Sequence, residues 1–518
     1  MSIVLLTVAT VIYFLAASWL FCYGMNCYYL IYLFLRLRRR EAEERRQHLE
    51  QFWASHSDAD LPKVTTQLPI YNERYVVGRL IDSVASLDYP KDKHQIQVLD
   101  DSNDETAAII AERVQTYRAQ GYDIQHVRRP TREGYKAGAL KHATFLARGE
   151  FIAVFDADFV PSRDFLRRTV PVFFMGEDIA MVQARWGYMN REQSLLTRAQ
   201  ALGTDGHFII EQGARTWSGL FMNFNGTAGV WRKAAIEDAG GWETDTLTED
   251  LDLSYRVQLR GWRMKYLWEV VVPSELPVDV RAYKSQQHRW AKGSIQTAIK
   301  IFPRVLRAPV SPLKKFEAFI HLTQYAIHPL MVSMALLSLP VLYFFHDYRL
   351  TNLSMAVFGT LVFFSSIAPS SMFLVGQIAD SKEWYRRLAY LPVLMSVGMG
   401  VAVNNARGVL EAVLGISSAF VRTPKYGEAG TKAERRKTYF ISGNNLALIE
   451  ILMGLYCLVT LTQTLEYHKY FVSFFMVIFT MGFFTVGMES WLEDLSQRGG
   501  WRALLRSGHA GPHVRPSG

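Results

Sequence analysis

Cysteine is scarce. The three residues Cys22, Cys27 and Cys457 all fall in apolar stretches, so the chain offers neither a disulfide framework nor a zinc-ligand spacing. Charge is also thin, at 20% of residues against 49% hydrophobic, a balance that leans toward a membrane protein. Mean hydropathy near zero nevertheless leaves much of the chain water-soluble. The net charge of +9 is not concentrated in an Arg/Lys-rich arm with interleaved aromatics. Its basic residues sit beside hydrophobic spans, which argues against a nucleic-acid partner and for membrane-flanking charge. No internal repeat is visible, and 518 residues exceed one ordinary domain.

Residues 3–35 are almost continuously apolar and aromatic. A signal peptide has a shorter apolar region and a small-residue cleavage site. The reading is therefore a retained membrane helix over 1–37. Arg36, Arg38, Arg39 and Arg40 follow, and a solvated linker helix continues over 38–60 on the basic side. Apolar spans return at 316–345, 354–377, 440–462 and 468–490, giving membrane blocks at 316–377 and 439–491 after an interfacial segment, 299–315. Lys382, Arg386 and Arg387 mark one inter-helix loop, and Arg422, Lys425, Lys432, Arg435, Arg436 and Lys437 mark another, whereas 346–353 and 463–467 are nearly free of Lys and Arg. The positive-inside rule then places the central domain, the basic loops and the tail 492–518 in the cytoplasm. The tail's last dozen residues have a disordered composition. If 388–404 crossed the bilayer, the basic loop at 421–437 would fall outside. Residues 388–438 are thus expected to be interfacial or re-entrant.

Between the spans, residues 61–298 change character. Lys63–Leu68, Ile96–Leu99, Ile124–Val127, Phe151–Phe155 and Ala180–Gln183 read as strands, and Arg79–Leu87, Ala107–Ala119, Ala137–Ala147 and Ser162–Phe174 as helices. This alternation predicts an α/β domain with a mostly parallel sheet, whose ligand sits at the carboxyl ends of the strands. Asp100, Asp101, Asp156 and Asp158 directly follow strand-like runs and should converge there.

The motifs suit sugar transfer from a nucleotide donor. Asp156-Ala157-Asp158 puts two carboxylates at a strand end, where Mg²⁺ or Mn²⁺ could neutralise a departing diphosphate. Thr248-Glu249-Asp250 opens a helical pattern at 251–260, so Thr248 could cap that helix and the acids be there only for the helix dipole. The functional reading makes Asp250 the general base toward an acceptor hydroxyl. One base opposite the leaving group implies single displacement with inversion. In Gln286-Gln287-His288-Arg289-Trp290, the Arg289 guanidinium suits a diphosphate and the Trp290 ring a sugar, while His288 reads as structural. Pro69, Tyr71 and Glu73, ending the first strand, face the base and ribose, as does Asp101. Lys136, at a helix start, could reach a phosphate or a carboxylate.

Together these residues resemble the family 2 glycosyltransferases of the cellulose synthase type, nearest to the cellulose-synthase-like enzymes that make mannan or glucan backbones. Gln97 to Ser102, Gly134 to Leu140, Phe155 to Phe159, Val182 to Trp186, Phe224 to Trp231 and Gln286 to Trp290 carry the likeness over residues 64–293. The resemblance implies a GT-A fold, divalent-metal dependence and inverting, processive synthesis of a β-glycan. Asp101, Lys136, Asp156, Gln286 and Arg289 would bind the nucleotide sugar, and Asp158 with Asp156 the metal. Asp250, with Glu249 and Thr248, would carry catalysis, and Trp290, Asn225 and Gly226 would meet the acceptor. Phe420-Val421-Arg422-Thr423-Pro424-Lys425 resembles the family's gating loop, which closes over the donor, so Phe420, Arg422, Thr423 and Lys425 are assigned to it. The spans are fewer than in bacterial cellulose synthase, and no β-barrel domain for a cyclic dinucleotide is expected after residue 491.

The expected partners are a nucleotide sugar (GDP-mannose or UDP-glucose), a growing glycan and the lipid bilayer. The expected location is a bacterial inner or plasma membrane, or a Golgi membrane. A rival reading is transfer of one sugar to a membrane lipid followed by release. A third is a non-catalytic membrane scaffold, against which every acidic motif is intact.

Overall fold

The computed structural model describes residues 3–348, 352–418, 425, 427 and 446–497. Seven strands make one sheet: β1 (Val64–Ile70), β2 (His94–Asp100), β3 (Asp123–Arg128), β4 (Phe151–Val154), β5 (Ile179–Tyr188), β6 (Gly229–Arg232) and β7 (Arg263–Ser274). Their order is β3-β2-β1-β4-β6-β5-β7. Only β6 runs antiparallel to its neighbours, β4 and β5. Ile70 pairs with Asp100, and Gln67 with Val154, so the carboxyl ends of β1, β2 and β4 form one rim. The residues just beyond those ends, from Tyr71, Asp101 and Phe155 onward, are thus delivered to the same edge.

Helices cover both faces, which is why β2 and β4 are buried along their whole length. Leu68, Val98, Phe151 and Phe155 pack one face, and Leu140, Ile152, Val154, Trp231 and Trp242 the other. Each buried side chain the size of Phe151 contributes about 1.5–3 kcal/mol. Polar residues inside the sheet find partners across it: Thr65 Oγ1 donates to Gln95 Oε1 at 2.8 Å, and Thr66 Oγ1 lies 2.8 Å from His94 Nε2. Burial holds His94 down at about 4, and hence neutral.

Two strands go beyond the sequence reading. β6 has four residues, too few to show a period. β7 starts on Arg263 and Lys265 and carries Pro273, which an edge position tolerates. The helix expected over 162–174 splits into Phe165–Thr169 and a 3₁₀ turn, Val170–Met175, because Pro171 has no N–H to continue the ladder.

Among the described residues, five helices are long and apolar enough to cross a membrane: Val4–Ser55, Pro312–Phe344, Gly359–Asp380, Leu446–Glu466 and Tyr470–Leu495. Trp384–Gly400 and Ala402–Val413 form a pair bent by 42°, a geometry shared by broken spans and re-entrant loops. Cys457, Phe479, Phe483 and Ala335 bury the contact between three of these helices. All three cysteines are free.

The catalytic-type domain is bolted to this bundle. The first helix runs unbroken from Ile3 to Ser55. Phe34 stacks on Trp217, and Arg45 makes two 3.0 Å bonds to Glu269, midway along β7. Arg185 of β5 pairs with Asp380 at 2.5 Å. The amphipathic helix Val280–Arg307 inserts Lys284 against Glu450, 2.6 Å away and fully buried.

Candidate active site

Carboxylates and cations meet at the rim. Lys136, on the helix Tyr135–Leu146, donates to Asp156 Oδ1 at 2.6 Å and to the Gly226 carbonyl at 2.8 Å. Burial opposes its charge, but Asp156 and Glu249 outweigh that and raise its pKa. The Asp156 amide donates to Thr227 Oγ1 at 2.8 Å, tying the end of β4 to the turn before β6. Asp158 is buried, and its Oδ2 accepts from Lys425 Nζ at 2.7 Å and from the Glu275 amide at 3.1 Å. The Lys425 ammonium also reaches the Glu275 carbonyl at 2.8 Å, while the Glu275 carboxylate holds Gly427 and Arg79.

Asp250 lies in the first turn of the helix Glu249–Leu259. Its Oδ1 accepts from the Leu251 amide at 2.9 Å. Burial pushes its pKa up to about 7, Glu249 adds to the rise, and Lys136 pulls the other way. A carboxylate near neutrality can hold or release a proton at working pH. Gly226 has φ +79°, and a Cβ there would stand 3.0 Å from Asp250 Oδ2 and 3.2 Å from Lys136 Nζ. The left-handed backbone favours glycine here, and a Cβ would make both side chains give by a few tenths of an ångström.

Thr248 does not cap its helix. Its hydroxyl sits 3.1 Å from Thr297 Oγ1. Gly293 allows this approach, since a Cβ there would lie 2.6 Å from Thr248 Cγ2. The segment with Gln286, Arg289 and Trp290 is thereby pressed against Thr248-Glu249-Asp250. Arg289 lies among Glu249, Asp156 and Asp250, while burial lowers its pKa. His288 stays on the structural side, 3.2 Å from Glu411, which also binds Lys292.

Beyond the ends of β1 and β2, Arg129 grips Asp101 through two bonds, at 3.1 and 2.5 Å. The Arg132 guanidinium carbon lies over Tyr71, 3.3 Å from the ring centre. Asp100 is different: it is buried and bonded to His126 and the Ser102 amide, a strut rather than a ligand.

One cavity of about 830 Å³ collects these residues. Pro69, Tyr71, Glu73, Asp101, Lys136, Asp156, Asp158, Asn225, Gly226, Thr248, Glu249, Asp250, Gln286, Arg289, Trp290 and Lys425 all line it. Phe420, Arg422 and Thr423 lie outside the described residues. The same cavity continues between the membrane helices, where Tyr13, Met334, Ser338, Val362, Ser366, Met476 and Phe479 form its wall.

Sequence reasoning did not single out Arg129, Arg132, Glu275, or the row His207, Glu211 and Arg215. That row had a signal: three ionisable residues at i, i+4 and i+8 mark one helical face. A second acidic group, Glu243, Asp245 and Asp252, lies around Lys300, which pairs with all three. It does not line the cavity. Asp156 and Asp158, by contrast, each draw an ammonium group into the cavity, so the rim fits a hard cation held by oxygen ligands.

An α/β domain with acids on its carboxyl-end rim, standing on apolar helices that share its cavity, defines a membrane-bound glycosyltransferase of GT-A fold. A family model described as Glycosyltransferase like family 2 matches residues 62–293. Over 447 residues the chain is 33% identical to Glucomannan 4-beta-mannosyltransferase 1 of Oryza sativa subsp. japonica, covering 82% of each chain. It is 31% identical over 475 residues to Probable glucomannan 4-beta-mannosyltransferase 1 of Arabidopsis thaliana, covering 88% of this chain and 82% of that one. With Glucomannan 4-beta-mannosyltransferase 2 of Arabidopsis thaliana, identity is 42% over 266 residues, half of either chain. Among solved structures, mannosyltransferase PcManGT from Pyrobaculum calidifontis, in complex with GDP-Man and Mn²⁺, has a TM-score of 0.47 and 18% identity, covering 75% of this chain and 100% of that one. The chain belongs to glycosyltransferase family 2, and its relatives in the cellulose-synthase-like group include proteins named glucomannan 4-beta-mannosyltransferases.

Proposed function

We propose that this protein is an inverting, processive glycosyltransferase that builds a β-linked mannan or glucomannan from a nucleotide sugar on the cytoplasmic side and passes it through the membrane. The observation that carries the reading is the single cavity reaching from the rim acids to the walls of the membrane helices. A product made at Asp250 is born at the entrance of that passage. Transfer of one sugar to a lipid needs no such continuity.

Asp250 acts as general base. The acceptor hydroxyl attacks the anomeric carbon as the bond to the diphosphate breaks, and its proton passes to the Asp250 carboxylate. Attack from the face opposite the leaving group inverts the anomeric centre. Glu249 keeps Asp250 basic by adding negative charge beside it, and Thr248 fixes the helix start. Asp101 and the end of β1 (Pro69, Tyr71, Glu73) receive the nucleoside. Lys136, Gln286 and Arg289 face the diphosphate, and Trp290 with Asn225 and Gly226 supports the acceptor sugar. Asp158, with Asp156, would hold Mg²⁺ or Mn²⁺, which when bound neutralises the leaving diphosphate. Lys425, in the gating segment, places a cation at the same carboxylate.

The test is incorporation of radiolabelled sugar by the detergent-solubilised enzyme with Mg²⁺ or Mn²⁺. GDP-mannose, UDP-glucose and GDP-glucose are offered singly and mixed, and the product is digested with linkage-specific glycanases. High-molecular-weight, mannanase-sensitive product is expected. Glucanase-sensitive product from UDP-glucose alone would reassign the donor, and a lipid-extractable single-sugar product would refute processivity.

A further inference from the structure

Behind the acceptor side of the cavity runs a chain of polar side chains to which no role has been assigned. Residues Gly206–Glu211 form a π-helical turn, a local irregularity that recurs at functional sites. The turn is held from behind by the Tyr266 hydroxyl, which donates to the Phe208 carbonyl, and by Trp186, stacked on the Phe208 ring at 4.7 Å. From this turn, His207 places Nε2 2.9 Å from Asn225 Oδ1 and Nδ1 2.8 Å from Glu211 Oε2. Arg215 donates to Glu211 Oε1 at 2.8 Å and lies 3.5 Å from Glu317, which accepts from Asn26 of the first membrane helix at 2.7 Å. Burial alone would push the Glu211 carboxyl up, but Arg215 and then His207 hold it well below its usual range. A second arm comes from the helix that carries Asp250: Tyr255, His321, Asn223 and Asn225 are linked by contacts of 2.8, 3.1 and 3.0 Å.

Both arms end on the Asn225 side-chain oxygen. Asn225 precedes Gly226, whose carbonyl anchors Lys136 and whose Cα faces Asp250. We propose that His207, oriented by Glu211, is a positioning residue for the transfer step: it fixes the Asn225-Gly226 turn, and hence the acceptor hydroxyl, against the base. This rests on Asp250 being the base and Asn225-Gly226 lying under the acceptor. His207 itself exchanges no proton with substrate.

The reasoning makes a distinctive demand. A loosened acceptor floor leaves the donor site and Asp250 in place, so water can take the acceptor's position. Donor hydrolysis then rises relative to transfer. A general structural fault lowers both together.

The experiment uses the full-length solubilised enzyme with labelled GDP-mannose and Mn²⁺, counting free mannose and polymer in the same reaction, with GDP affinity measured separately. For His207→Ala, the hydrolysis-to-transfer ratio should rise about tenfold, the scale of sub-ångström misplacement, with GDP affinity unchanged. His207→Gln, which keeps a donor of similar reach, should recover most of the coupling. In an Asn225→Ala background, His207→Ala should add nothing further, because both act through one contact. An unchanged ratio, equal loss of hydrolysis and transfer, or multiplying effects in the double variant would overturn the proposal. If Asp250→Asn kept full transfer, the failure would lie in the base assignment instead.

Discussion

Gly226→Ala concentrates the logic of the site in one methyl group. The residue sits at φ +79°, where an L-residue costs about 1–2 kcal/mol. Its Cβ would meet Asp250 Oδ2 at 3.0 Å and Lys136 Nζ at 3.2 Å, so both must retreat slightly. A 1 Å error at a reacting centre costs about 10²-fold, so a retreat of a few tenths of an ångström implies roughly a tenfold fall in kcat. A second effect has a definite sign. Lys136 is the first of the groups that draw the Asp250 pKa down, ahead of backbone amides and against burial and Glu249. Wedging the pair apart therefore moves Asp250 above its value of about 7. The assay is sugar incorporation against pH, with GDP affinity and thermal unfolding in parallel. We expect a lower kcat, an acid limb displaced to higher pH, near-native nucleotide affinity and a melting temperature lower by a few degrees. A variant with wild-type kcat and an unmoved acid limb would show that Gly226 does not border the base.

Other outcomes follow from the same geometry. As the proposed base, Asp250 must be ionised to accept a proton, so kcat/KM should fall about tenfold per pH unit below about 7, the value to which burial raises this group. Asp250→Asn should lower transfer by about 10²–10⁴-fold with GDP binding nearly unchanged; equal loss of both would end its assignment as base. Lys425→Ala removes the ammonium 2.7 Å from Asp158, so nucleotide-free protein should bind Mn²⁺ about tenfold more tightly, read from the paramagnetic resonance signal of free Mn²⁺. Unchanged or weaker Mn²⁺ binding would show that Lys425 and the metal do not compete for that carboxylate.

The sequence displayed the rim because strand ends are local. Asp101, Asp156 and Asp158 follow apolar runs, and a parallel sheet must bring the carboxyl ends of such runs together. The apolar helices were legible for the same reason, since composition alone sets whether a segment can span a bilayer. What escaped depended on contacts far apart in the chain. β6 and β7 exist because β5 offers them edges to pair with, and neither carries a clean period of its own. Arg129 meets Asp101 between the ends of neighbouring strands, 28 positions apart, and Lys425 meets Asp158 across 267 positions. Thr248 had the look of a helix cap, yet tertiary packing against Thr297 claimed its hydroxyl. The π-helical turn at 206–211 cannot be inferred from a 3.6-residue pattern, which it breaks.

The first helix sets a phase as well as an anchor. Its 53 residues form one rod of about 80 Å, more than twice the thickness of a hydrocarbon core. Asn26 engages the bundle at Glu317, and nineteen positions later, counting from 26 to 45, Arg45 engages the sheet at Glu269. Both contacts hold only at one angular setting of the rod. One residue inserted between them would turn the far end by about 100°, pointing Arg45 away from Glu269, although no residue of the active site had changed. Seven inserted residues would nearly restore the angle while shifting the sheet about 10 Å along the rod relative to the helix bundle. The rod is thus a keyed shaft, and the alignment of the sheet with the helix bundle is cut into its length.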